Sequence, residues 1–547
     1  MSYVDALLDK QRDRIHVVER VGGERIYKEF PVTYQFYFDD PKGKFTTIFN
    51  TPVSRFTTNS GKEFQREKRS HTNAKLWESD INAVTRLLST HYEHSEPPTL
   101  HTAFFDIETD FCKERGYAPT EDPFNPITAI SVYLNWLDKL VTLAIPPKSC
   151  TAEQAAAIAD KYTDCFMFAD EGEMLDTFLA LLDDADVVSG WNSEGYDIPY
   201  TVNRIIRVLG KDYTKKMCLW GQYPKSRIFE RFGKESTTYD LIGRVHMDYM
   251  QLYRKYTYEE RHSYSLDAIG EYELKEHKTQ YEGTLDQLYN NDFDKFIEYN
   301  RQDVLLVDKL DKKLRFLDLA NALAHECTVL MPATMGSVAM IEQAIINEAH
   351  RRGMIVPDRS REENTEDAAA GAYVAYPVKG LHDYIGAIDI NSLYPSTIRA
   401  LNMGAETIVG QLRQTATEQY IAGKIADGAS RTAAWEGIFA SLEYTAVMNK
   451  ERGTDVTIDW EESQSSTTHS AAEIFDMIYD SNMPWMLSAN GTIFTYDRQA
   501  VVPGLLARWY AERKVKQAHK KAIGELSDGI EISPEFLKEV SALLETT

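Results

Sequence analysis

Cysteine is scarce and scattered in this chain. The five residues (Cys112, Cys150, Cys165, Cys218 and Cys327) are odd in number and form no close pair. That pattern argues against a disulfide framework and suits free thiols in a reducing cytoplasm. Long apolar runs are missing too. None reaches about 18 residues, and the start, Met1-Ser2-Tyr3-Val4-Asp5, turns polar almost at once, which argues against a membrane span or secretory leader. Positive charge is short: 60 Lys and Arg face 84 Asp and Glu, a net charge of -24. On average such a surface repels polyanions. A nucleic-acid site, however, needs only a local basic surface with metal at its centre. What remains is ordinary for a globular chain, with 43% hydrophobic and 26% charged residues over 547 positions. That length suits roughly three or four domains with ample core.

One stretch organises the rest. In Phe104-Phe105-Asp106-Ile107-Glu108-Thr109-Asp110 an apolar run ends in acid. Read as a buried strand, it puts the Asp106 and Glu108 carboxylates on one face. Anions held that close repel unless protons or cations neutralise them, and oxygen-only ligands favour Mg²⁺ or Mn²⁺ over zinc. Further strands are expected at Ile127–Tyr133, Leu140–Ile145 and Asp186–Ser189, and helices at about 172–182 and through Val202, Ile205, Ile206 and Leu209. Asp197 follows Gly190-Trp191-Asn192-Ser193-Glu194-Gly195-Tyr196 near a helix start, where an isolated aspartate reads as a cap. Phe293, Phe296, Ile297, Val304, Val307 and Leu310 recur at helical spacing, so Tyr299 and Asp303 stack one turn apart.

Upstream, Val32, Tyr34, Phe36 and Phe38 alternate at strand period, Lys44–Phe49 is strand-like, and a helix through Ile81, Val84, Leu87 and Leu88 has Ser79 as its expected cap. Downstream, Ala387-Ile388-Asp389-Ile390-Asn391-Ser392-Leu393-Tyr394-Pro395 reads as an apolar strand delivering Asp389 before a helix through Ile398 and Leu401. Glu461–Thr468 reads as an exposed polar insertion. A helix from Pro503 carries Arg513, Lys516 and Lys520 on one face, and a last helix is expected from Ser533 and Pro534.

These motifs in this order resemble the family B DNA polymerases, particularly the replicative enzymes of tailed phages. The acid pair, the Asn192–Asp197 stretch and Tyr299–Asp303 are similar to the three motifs of tyrosine-type DEDD 3′→5′ proofreading exonucleases on an RNase H-like fold. Asp248–Tyr253 and Ser263–Asp267 are similar to the segment between the last two of those motifs. The resemblance implies an α/β and α+β multidomain chain. Its parts would be a mixed N-terminal domain (1–100, with a return at about 340–376), an exonuclease domain (101–339), a partial palm (377–498) and the first half of the fingers (499–547). It implies that Asp106, Glu108, Asp197 and Asp303 hold two Mg²⁺ or Mn²⁺ ions, that Tyr299 orients the attacking water and that Asn192 assists near the substrate strand. Arg227–Arg231 and Thr237–Val245, flanking Gly233, resemble the family's strand-moving hairpin.

In the palm-like part, Asp389 would bind catalytic metals, the Ser392 and Leu393 amides would lie beside the triphosphate, and Tyr394 would exclude ribonucleotides. Arg513 would grip the triphosphate, with Lys516 or Lys520 as further contacts. Ala370-Gly371-Ala372-Tyr373 stands where the family joins its exonuclease and polymerase modules. No Lys-x-x-x-Asn-Ser-x-Tyr-Gly or Asp-Thr-Asp-Ser string follows. The expectation is therefore a split enzyme, completed by a second polypeptide that supplies the remaining fingers, palm and thumb. It would act on primer-template and single-stranded DNA with deoxynucleoside triphosphates, aided by a sliding clamp, without a membrane. A stand-alone exonuclease with a vestigial palm and a non-catalytic nucleic-acid-binding subunit remain alternatives.

Overall fold

Alternating apolar residues near the N-terminus build an antiparallel meander of Tyr3–Asp9, Arg14–Val21 and Glu24–Pro31. Tyr3, Ile15 and Val17 turn inward against Val84, Leu87, Leu88 and Tyr92. The last four lie on or just beyond a helix at Ala83–His91. Its cap is Asn82, whose side chain accepts from the Val84 amide at 2.8 Å, and not the expected Ser79. Asn82 has the extended backbone and the short carbonyl that bring an acceptor to this amide; Ser79 lies three residues too early. The computed structural model describes residues 2–71, 74–231, 234–359, 377–435 and 438–527. These fall into two units: Met1–Lys44 with Val53–Asn347, and Phe45–Pro52 with Glu348–Thr547.

The first unit is centred on a six-stranded mixed sheet. Its strands are β1 (Thr102–Thr109), β2 (Ile127–Leu134), β3 (Lys139–Ala144), β4 (Cys165–Met167), β5 (Val187–Gly190) and β8 (Val245–Asp248), in the order β4-β3-β2-β1-β5-β8. The β1, β2 and β3 strands pair antiparallel; β5 runs parallel to β1 and to β8. Period-2 alternation divides β1 between two layers. Ala103, Phe105 and Ile107 enter a core with Met174, Leu175 and Phe178 of α1 (Glu171–Leu181) and Ile198, Val202 and Ile205 of α2 (Asp197–Val208). The opposite face meets α4 (Phe293–Leu314), whose Phe293, Phe296 and Ile297 bury against Ala129, Ala144 and Cys165. Arg301 of α4 also donates to the Thr142 hydroxyl on β3 at 2.9 Å. Between β5 and β8 the chain forms the expected hairpin, β6 (Lys225–Arg231) with β7 (Lys234–Asp240). Gly233 lies outside the described residues. Asp248 then caps α3 (Tyr249–Tyr256), accepting from the Met250 amide.

The second unit holds α5 (Leu393–Ala400) and the five-stranded antiparallel sheet β11-β10-β9-β13-β12. Its strands are β9 (Ile408–Leu412), β10 (Asp455–Trp460), β11 (Ser466–Ser470), β12 (Trp485–Leu487) and β13 (Thr492–Thr495). The polar stretch expected to be an exposed insertion is exposed over 461–466 and spans the turn joining β10 to β11. The helix expected from Pro503 is α6 (Val501–Ser527). The strand expected before Asp389 does not form. Residues 377–391 are exposed and lack regular structure, with Ile388 95% and Ile390 58% accessible. Apolar alternation becomes a strand only where a neighbour accepts its hydrogen bonds, and no described residue pairs with this stretch. The Ala370–Tyr373 element and the helix from Ser533 lie outside the described residues. Among the described residues no helix is long and apolar enough to cross a membrane.

Candidate active site

Where α4 crosses the polar face of β1, one oxygen each from Asp106, Glu108 and Asp303 comes together, all within 4.8 Å of one another. Glu108 and Asp303 are buried and Asp106 is half-buried. Three carboxylates this close raise one another's proton affinity. Burial, and then Glu108, Asp197 and Asp303, hold Asp106 well above the usual carboxylate range. Burial, with Asp303 beside it, pushes Glu108 up to about 8. Asp303 is likewise raised by burial, to about 6, against the pull of Lys278.

Lys278, in the loop after Leu266–Leu274, was not among the sequence candidates. It donates to Asp303 Oδ2 at 2.5 Å and to the Tyr299 hydroxyl at 2.6 Å, joining two residues one turn apart on α4. Burial alone would lower its pKa, but Asp303 and Tyr299 hold it above the ordinary lysine value. Burial and Asp303 raise Tyr299, so the phenol keeps its proton. A lysine can only donate, so the Tyr299 oxygen accepts from Lys278, and its own proton faces acceptors that include the Asp303 carboxylate. Tyr281 meets the Tyr299 ring edge-on at 5.3 Å.

Asp197 stands beside this cluster rather than in it. It is the first residue of α2 and does not cap the helix; its Oδ1 accepts from the Ile107 amide at 3.2 Å. Burial raises it to about 7 despite that bond. The turn leading to it constrains two residues, Gly190 and Asn192. A Cβ at Gly190 would sit 2.6 Å from the Phe105 carbonyl oxygen, and Asn192 has φ +64°, which asparagine tolerates better than most residues. Buried Asp248 fastens the turn, with Oδ1 accepting from the Asn192 amide and Oδ2 from the Glu194 amide, both at 3.1 Å. The sequence showed Asp248 as part of a segment and not as the tie for this turn.

The donor set fits a divalent cation. All donors are oxygens, as hard dications require. Asp303 Oδ1 is buried without a hydrogen-bond partner, an unmet acceptor that a cation would satisfy. The charge arrangement sets a pH dependence. Each acid has a folded pKa above its unfolded value, so the folded chain holds more protons in between and metal-free stability falls as pH rises through that window. For Glu108 the window runs from 4.5 to about 8. A cation displaces these protons, so Mn²⁺ should raise the melting temperature more near about pH 8 than near about pH 5. At a hundredfold excess over Kd the gain is about 2.7 kcal/mol, a few degrees. Melts in chelator and in Mn²⁺ at both pH values check this; equal shifts would count against it.

In the second unit, α5 and α6 place the Arg513 guanidinium 3.4 Å from the Ser392 hydroxyl and the Arg399 guanidinium over the Tyr510 ring at 4.8 Å. Ser392 precedes α5 in the left-handed region at φ +53°. Tyr394 is 70% exposed and Leu393 half-exposed, while Lys516 and Lys520 line the exposed part of α6. Asp389 joins no acid cluster among the described residues.

A strand acid pair faced by a tyrosine- and aspartate-bearing helix gathers the oxygen donors that a hard divalent cation requires. Residues 53–269 match DNA polymerase family B, exonuclease domain, and residues 329–529 match DNA polymerase family B. Together these cover more than half of the chain, which belongs to DNA polymerase family B. Tyr299 and Asp303 fall between the two matched ranges, so their place in the site rests on geometry. Similar proteins include the DNA-directed DNA polymerase of Enterobacteria phage T4, 30% identical over 47% of this chain and 28% of that protein. That of Escherichia phage RB69 is 27% identical over 60% and 38%. The DNA polymerase delta catalytic subunit of Bos taurus is 26% identical over 57% and 28%. The matched part of this chain thus spans about a third of the length of the phage relatives. The family's exonuclease domain uses divalent metal, and among the described residues the acid cluster suits it.

Proposed function

We propose that residues 101–339 form a 3′→5′ exonuclease that removes nucleotides from single-stranded or frayed DNA ends, and that 377–527 contributes the first palm motif and first fingers helix of a DNA polymerase. The observation that carries this reading is the Asp106–Glu108–Asp303 cluster with Lys278-bound Tyr299 beside it. Asp106, Glu108 and Asp303, with Asp197 adjoining, would hold Mg²⁺ or Mn²⁺. When bound, two such ions make water nucleophilic at neutral pH and stabilise the departing 3′-oxygen. The chain's own groups then orient the reaction. Tyr299, kept protonated and fixed by Lys278, directs its hydroxyl at the attacking water or a phosphate oxygen. Asn192, on the turn tied by Asp248, faces the substrate strand. Mismatched 3′ ends should be shortened faster than paired ones, because they fray into the site. Equal rates on matched and mismatched duplexes would argue against selection for frayed ends.

For nucleotidyl transfer, Asp389 would supply one carboxylate, with a second polypeptide supplying the remaining fingers, palm and thumb. Ser392, Leu393 and Arg513 would then face the triphosphate, with Lys516 or Lys520 at its edge, and Tyr394 would pack on the sugar. In a complete polymerase carrying this segment, Tyr394→Ala should raise ribonucleotide incorporation roughly 10-fold or more, the scale of one lost steric contact. Unchanged discrimination in primer extension would remove Tyr394 from that role.

A further inference from the structure

Asn300 is fully buried on α4, between Tyr299 and Asp303, where helical packing alone would favour an apolar side chain. Its amide is committed to one partner. Nδ2 donates to Asp106 Oδ2 at 2.9 Å and lies 3.3 Å from the Asp106 main-chain oxygen. Its own Oδ1 is buried with no partner. Burying an amide while leaving half of it unsatisfied costs stability, so the residue is not explained by packing. Asn300 and Asp303 are three residues apart and share a helix face. One brings a carboxylate to the acid cluster; the other grips the carboxylate opposite.

We propose that Asn300 is a positioning residue for Asp106: it occupies one carboxylate oxygen and the backbone of the same residue, holding the other oxygen toward the cation. The role rests on reading the acid cluster as a divalent-cation site. Without this hold, Asp106 is free to rotate away from Glu108 and Asp303, its like-charged neighbours. Partners that orient a metal ligand commonly change affinity by about 10–100-fold when removed.

The test uses the full chain and Mn²⁺, with free Mn²⁺ followed by electron paramagnetic resonance, for the parent, Asn300→Leu and Asp303→Asn. Leucine preserves the volume and removes the amide. The parent should bind, Asp303→Asn should lose most binding, and Asn300→Leu should bind about 10–100-fold more weakly. Its metal-free melting temperature should fall by a few degrees at most, because the half-satisfied amide leaves the core but two Asp106 oxygens lose their donor. Saturating Mn²⁺ should restore its DNA hydrolysis, because every ligand is still present. Should Asn300→Leu fail to fold, the smaller Asn300→Ser is judged by the same criterion. A folded variant binding Mn²⁺ within about twofold of the parent overturns the role of Asn300 alone. A parent that binds no Mn²⁺ overturns the site reading and this inference with it.

Discussion

Asp106→Ala combined with Glu108→Ala should leave a folded chain with no measurable exonuclease activity. The pair supplies two of the three carboxylates that converge within 4.8 Å, and Asp303 alone cannot hold a cation against water. Metal stabilisation of transition-state charge amounts to several kcal/mol, and each 1.36 kcal/mol is tenfold in rate. The fall should therefore exceed roughly 10³-fold. Folding should not suffer, because both acids are raised by burial and mutual repulsion, and their removal relieves strain in the metal-free protein. The melting temperature in chelator should be equal to or above that of the parent, most clearly above about pH 8. Single-turnover hydrolysis of a labelled oligonucleotide and a melt on the same sample separate lost chemistry from lost structure. Undiminished hydrolysis in the double variant would remove these residues from the site.

The largest effect on stability is expected at Arg20, which contacts none of the clustered acids. Its side chain is 1% exposed and ties the N-terminal meander to the segment entering β5. Nε and Nη2 form a fork to Asp186 at 2.8 and 2.7 Å, and Nη1 reaches Asp184 Oδ1 at 3.0 Å and the Gly23 carbonyl at 2.9 Å. Asp186, also 1% exposed, has as its other close partner the His101 amide. Arg20→Met would strand that carboxylate, and breaking a buried pair costs about 3–5 kcal/mol. A fall in melting temperature of roughly 4–7 °C follows for a unit of about 340 residues. Adding Asp186→Leu should recover part of the loss, because the stranded charge goes with it. A melt of Arg20→Met within about 2 °C of the parent would show that Arg25, 3.5 Å from Asp186, carries the pair by itself.

Much of the acid cluster is legible in the sequence because local period alone specifies it. Two residues along β1 put Asp106 and Glu108 on one face, and four along α4 stack Tyr299 with Asp303. Lys278 is not legible in this way. It lies in a loop with neither helical nor strand period, and its partners are 21 and 25 positions away. Asn300 stands in plain sight beside Tyr299, but its role depends on what β1 places opposite. Asp197 reads as a cap and instead takes the Ile107 amide, a choice made by the neighbouring strand. The stretch before Asp389 has the apolar alternation of a strand and none of its hydrogen bonds, because a sequence states a strand's faces and not its neighbours. The sheet within 408–495 escapes for a related reason. Its strands are three to six residues long, too short for period to stand out.

We propose that this chain removes nucleotides from DNA 3′ ends at the Asp106–Glu108–Asp303 cluster. The most direct test is a time course with a 5′-labelled single-stranded oligonucleotide, the purified chain and Mg²⁺ or Mn²⁺. A ladder that shortens by single nucleotides from the 3′ end, stops with chelator and is absent with the Asp106→Ala, Glu108→Ala variant is the expected result. An oligonucleotide that stays intact, or one cut internally or from its 5′ end, would contradict it.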